Sequence, residues 1–104
     1  MAITDITTLE ALFDNDMREI LEKERAVGLN SSRTRQMIEQ YGGVKTARLL
    51  LELDRQLPSN TFGYLRTINR LDLTVEWHVV MDKYSPLFSD EEREIARWRL
   101  AYED

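Results

Sequence analysis

The 104-residue chain contains no cysteine, a single histidine, two prolines and four glycines. Without cysteine neither a disulfide nor a thiolate metal site can form, and a cytoplasmic setting is expected. With His78 the sole imidazole, any metal site would have to be built from carboxylates. Long apolar runs are also missing. Leu49-Leu50-Leu51 and Val79-Val80-Met81 are among the longest, far short of the roughly 20 residues a membrane-spanning helix needs. No membrane association is therefore expected. The start, Met1-Ala2-Ile3-Thr4-Asp5, has neither a basic cluster nor an apolar core, so no export signal is read there.

What the chain does have is apolar content of 42%, enough for a folded core and suited to one α-helical domain over residues 1–104. Apolar residues recur at helical spacing. A first helix is expected over Thr8–Val27, opened by a Thr7/Glu10 capping box and closed by Gly28, with Leu9, Leu12, Phe13, Met17, Ile20 and Leu21 on its inner stripe. A second runs from Ser31 or Ser32 to Tyr41, and Gly42-Gly43 breaks it from a third over Val44–Leu53, which offers Ala47, Leu50, Leu51 and Leu53 to the core. A loop and cap at Pro58-Ser59-Asn60 precede a short fourth helix over Thr61–Asn69. Asp72 is expected to cap a fifth helix over Leu73–Met81. That helix is apolar on several sides and so should be central, with Trp77 buried; its β-branched residues leave a strand as the competing assignment. Ser89 and Glu92 form a second capping box, opening a last helix over Asp90–Tyr102. Ile95, Trp98 and Tyr102 are expected to face inward, and Arg93, Arg97 and Arg99 outward. The sum is an all-α, compact orthogonal bundle of five to six short helices.

Catalytic and cofactor patterns fail on inspection. His78 stands beside Trp77, and the serines (Ser31, Ser32, Ser59, Ser85, Ser89) read as cap or loop residues, so no nucleophile–base pair is expected. Asp14-Asn15-Asp16 starts like a calcium loop, but Glu19 stands where glycine is required and Arg25 where glutamate is. Gly42-Gly43-Val44-Lys45-Thr46 lacks the upstream glycine and strand of a phosphate loop; the glycines are expected to relieve positive φ in a tight turn. We expect no catalytic residues, no metal and no cofactor.

Net charge is −5, unevenly spread. Residues 1–30 carry 3 basic against 7 acidic side chains, residues 31–70 carry 7 against 3, and residues 71–104 carry 4 against 9. Acidic ends around a basic middle suit self-complementary packing. They also mark Arg33, Arg35, Lys45, Arg48, Arg66 and Arg70 as the residues most apt to meet a partner. That partner is expected to be another protein. A nucleic-acid backbone is the second reading, because residues 32–53 have a helix–turn–helix spacing; the leucine-rich second helix offers little to read base edges. A third reading is an acidic decoy for a DNA-binding protein, built from the first and last helices. Oligomeric state stays open.

Gly42-Gly43-Val44 with Ala47 and Leu49-Leu50, then Phe62, then Asn69-Arg70-Leu71-Asp72-Leu73-Thr74-Val75-Glu76, then Leu87-Phe88-Ser89 with Glu91-Glu92 and Ala96-Arg97, resemble a small bacterial family of uncharacterised all-helical proteins that occur alone or appended to nucleases and helicase-like ATPases. Phe13-Asp14-Asn15-Asp16-Met17 and Met37 fit the same layout. Arg35 departs from it, standing where an aromatic or apolar residue is expected. The resemblance implies an accessory or interaction role, in phage defence or DNA metabolism, and carries no site residue with it.

Overall fold

A computed structural model describes residues 5–53 and 60–101. Among them are six α-helices, α1 (Ile6–Ala26), α2 (Ser32–Tyr41), α3 (Gly43–Leu53), α4 (Asn60–Thr67), α5 (Val75–Val79) and α6 (Asp90–Ala101), two short 3-10 segments, Leu71–Leu73 and Asp82–Leu87, and no strand. The fold is an all-α bundle, as the periodicity implied. No helix of the described residues is long and apolar enough to cross a membrane. The Pro58-Ser59 loop and the inward-facing Tyr102 expected above lie outside the described residues, as does the side chain of Leu53.

Helix ends follow local chemistry. α1 starts earlier than expected because Asp5, not Thr7, is the better cap: its carboxylate accepts from the Thr7 N–H at 3.0 Å and the Thr8 hydroxyl at 3.3 Å, a stronger acceptor at the positive end of the helix than a hydroxyl. At the other end Gly28 takes φ +93°, and the N–H groups of Gly28 and Leu29 return to the carbonyls of Arg25 and Glu24, a Schellman closure. α6 opens with the expected capping box, Ser89 N–H on Glu92 Oε1 at 2.8 Å and Glu92 N–H on Ser89 Oγ at 3.1 Å.

The two glycines between α2 and α3 differ in purpose. Gly42 has φ +84° and makes the turn. Gly43 is already helical; a Cβ there would lie 2.8 Å from the Asp14 Cα, so its missing side chain is what lets α1 reach the start of α3. α3, not α5, is the central helix, packed on α1, α2, α5 and α6.

The fifth helix is the main departure. Its cap is Thr74, whose hydroxyl accepts from the Trp77 N–H at 3.1 Å and donates to the Leu71 carbonyl at 2.7 Å. Asp72 instead pairs with Arg70 at 3.1 Å. α5 is therefore only five residues long, and its register turns Trp77 outward, 42% exposed. Trp98 is likewise 46% exposed, while Arg99, expected outside, is 0% exposed. The aromatic core is instead Phe13 edge-on to Tyr84 and Phe88, with centroids 5.0 and 5.1 Å apart. The Tyr84 hydroxyl donates to the Asp16 carboxylate.

Arg99 is buried because two neighbouring helices offer it acceptors. Its Nη1 meets Glu76 Oε2 of α5 at 2.8 Å, and its guanidinium also reaches the carbonyls of Leu50 and Leu51, at 3.4 and 2.5 Å, near the C-terminal end of α3. Breaking such a buried pair leaves a charge stranded. Arg99→Met should cost about 3–5 kcal/mol of unfolding free energy, whereas Arg97→Met, which removes an exposed pair with Glu94, should stay within about 0.5 kcal/mol; urea denaturation compares the two. In the same assay Gly63→Ala, on the open face of α4 with nothing within 4 Å, should gain about 0.5–1 kcal/mol, and Gly43→Ala should lose about 1–3 kcal/mol through overpacking.

Candidate ligand-binding cleft

A cleft of about 450 Å³ opens between α1, α2, α4 and the start of α5. Its volume falls within the range of small-ligand sites. Met17, Ile20 and Leu21 of α1, Met37 of α2 and Leu65 of α4 give it apolar walls; Thr74, Val75 and Glu76 close one side, and Arg33 and Thr34 contribute from α2.

The polar group that distinguishes it is Glu24. It continues the α1 stripe, three residues after Leu21 and four after Ile20, so the helix carries a carboxylate into the wall of the bundle. Glu24 is 7% exposed. Ser31, just past the α1 turn, donates its hydroxyl to Oε1 at 2.5 Å. Burial pushes the Glu24 carboxyl above its ordinary value; the Ser31 bond opposes this and the nearby Glu76 charge adds to it. Glu76 has Arg99 as counter-ion. Glu24 has no cation within ion-pair distance among the described residues.

The six cations singled out by sequence take separate places. Arg48 donates to the Leu87 carbonyl at 2.6 Å and lies 3.5 Å from Glu92. Arg66 donates to the Arg99 and Leu100 carbonyls at 3.1 and 3.4 Å, at the end of α6. Arg35 lies 3.6 Å from Glu22, Arg70 holds Asp72, and Lys45 sits over the Tyr41 ring at 5.1 Å. Arg33 alone of the six lines the cleft.

The other candidate groups are tied into the fold. Asp14 accepts from the Gly43 N–H at 2.9 Å and from Arg18 at 2.8 Å. The N-terminus of α3, where a helix start could otherwise attract an anion, is thus already met by a carboxylate of the chain itself. Asp16 takes the Tyr84 hydroxyl and lies 3.8 Å from Lys83. His78 Nδ1 is 3.1 Å from the Thr74 carbonyl. No group of three or more His, Asp or Glu side chains among the described residues is placed to hold a metal ion.

Sequence reading passed over Glu24, Ser31, Thr34 and Met37 as site residues. Only Glu24 carried a signal, a carboxylate at a core position of an otherwise apolar stripe. Met37 looked like ordinary core, and the cleft is assembled from separate segments.

Because Glu24 is harder to ionise in the fold than in the unfolded chain, the folded form holds the extra proton between the two pKa values, and stability falls as pH rises through that window. Glu24→Gln abolishes this loss. Its urea midpoint relative to the parent should therefore rise as pH increases above the ordinary glutamate value of about 4.3; an unchanged difference would show that burial does not penalise this carboxylate. No family model matches the sequence, and no curated protein or solved structure matches it either.

Proposed function

We propose that this protein is a non-catalytic interaction module whose partner is another protein, received at the cleft between α1, α2 and α4. One observation carries the reading: an open cleft with apolar and polar lining is left in a small bundle whose other polar groups are largely engaged with one another. His78, Asp14, Asp16 and Glu76 each have a structural partner within hydrogen-bond distance, which argues for binding over bond-making chemistry. The resemblance drawn from the Arg70–Glu76 block supports an accessory role in bacteria, in defence or DNA metabolism.

A nucleic-acid partner has less support. α3, the helix that would enter a groove, packs on α1, α2, α5 and α6 and leaves only the face of Lys45, Arg48 and Glu52 exposed. Of the six central cations, Arg35, Arg48, Arg66 and Arg70 are engaged with acidic side chains or main-chain carbonyls, and the net charge of −5 opposes phosphate binding.

The test places a photoreactive side chain at Met37, in the cleft, or at Gln40, exposed on the same helix, and irradiates the protein in its host. A protein adduct of one defined mass is expected from position 37 and not from position 40. Adducts from both positions alike, or none, would remove the cleft as the docking site. A mobility shift on duplex DNA that collapses between about 50 and about 200 mM salt would favour the nucleic-acid reading instead.

A further inference from the structure

We infer that the cleft receives a lysine or arginine side chain of the partner polypeptide, its aliphatic stem against Met17, Ile20, Leu21, Met37 and Leu65 and its cationic head on Glu24. This rests on the protein-binding reading above and specifies its chemistry.

The argument starts from the cost of the Glu24 carboxylate. A carboxylate nine-tenths buried on the same helix stripe as Ile20 and Leu21 is unfavourable unless paired. Ser31 supplies one hydrogen bond, to Oε1. Oε2 has no hydrogen-bond partner among the described residues, yet it is not sealed from solvent, and Glu24 lines the cleft. The second carboxylate of the cleft, Glu76, has Arg99 as its counter-ion at 2.8 Å, so the carboxylate without a counter-ion among the described residues is Glu24. A cation brought to it gains a charge-assisted hydrogen bond in a poorly solvated setting.

The apolar lining then selects the form of that cation. A hydrated inorganic ion gains nothing from methionine and leucine walls, whereas lysine and arginine carry three or four methylenes behind the charge and are suited to an apolar passage with a polar end. Arg33 is exposed and also lines the cleft. It sets a positive charge on the approach, which disfavours a free polycation and favours a polypeptide whose basic residue has an acidic neighbour. Other charges around Glu24 are Glu76 on α5, already neutralised, and Lys23 and Arg25, adjacent on α1 and exposed.

The experiment is a ¹⁵N-resolved NMR titration of the full chain with three probes: a capped pentapeptide with one lysine between leucines and a glutamate at one end, the same peptide with norleucine replacing lysine, and n-hexylamine. The lysine peptide should shift the amides of Leu21, Glu24 and Ser31. It should bind at least about tenfold more tightly than the norleucine peptide, and Glu24→Gln should remove that advantage. The advantage should also shrink as Glu24 takes up its proton on acidification, with Glu24→Gln insensitive. Equal binding of both peptides would overturn the cationic assignment while leaving the cleft as a protein site. Binding of hexylamine with no response to the lysine peptide would replace the polypeptide by a small amine. No response to any probe would overturn the inference, and if the crosslink at position 37 persisted, the interaction reading would still stand.

Discussion

One guanidinium holds three helices in this bundle. Arg99 leaves α6 into a site with no exposed surface, where Glu76 of α5 neutralises it and the Leu50 and Leu51 carbonyls of α3 accept from Nη1 and Nη2. Those carbonyls lie in the last turn of α3, where intrahelical N–H partners run out. A planar fork with donors in fixed directions can serve a carboxylate and a helix end together; lysine cannot match that geometry. Arg93 reaches the carbonyl of Val80 at the end of α5, Arg66 those of Arg99 and Leu100 at the end of α6, and Arg48 that of Leu87. In a cysteine-free bundle of short helices, arginine does the cross-linking, and it does so at helix C-termini, where cations are favoured.

The cleft depends on this arrangement. Five residues are too few for a helix to persist by its own hydrogen bonds, so α5 is fixed by Thr74 at its start and by Glu76 on Arg99. Thr74, Val75 and Glu76 are also one wall of the cleft. The pairing that anchors the wall therefore discharges one of the two cleft carboxylates and leaves Glu24 as the other. Fold and site share a residue, and the electrostatic character of the site follows from how the fold is closed.

Much of the architecture was legible in the sequence because it is set by short-range chemistry. Gly28, Gly42 and the Ser89–Glu92 pair announce helix ends through backbone geometry and caps, and the α1 stripe from Leu9 to Leu21 is buried apart from Leu12. What failed needed long-range information. Hydrophobicity alone ranks Trp98 above Arg99 for the interior, since nothing local reveals two free carbonyls on α3 and a carboxylate on α5. Trp77 followed the same error, compounded by the choice of Asp72 over Thr74 as the cap. The cleft was hidden for a related reason: its walls come from α1, α2, α4 and α5, and no single window of sequence contains it. Glu24, placed among Met17, Ile20 and Leu21, was the one residue whose position contradicted its type.

The charge pattern also reads differently once side chains are placed. A basic middle between acidic ends suggested a cationic face, yet Arg35 and Arg48 approach Glu22 and Glu92 from the flanking segments, and Arg66 serves the end of α6. The excess positive charge of residues 31–70 is thereby largely engaged by acidic side chains and helix-end carbonyls. Arg33 differs in standing at the cleft, opposite in sign to the carboxylate at its depth. Such a pair of charges at one cleft discriminates by order as well as by sign: a phosphate chain offers only anions and gains at Arg33 what it loses at Glu24, while a polypeptide can present a cation to one and a carboxylate to the other. Selectivity of that kind needs only two charges, provided the fold holds both at one cleft, and one side of this cleft is fixed by Arg99 through Glu76.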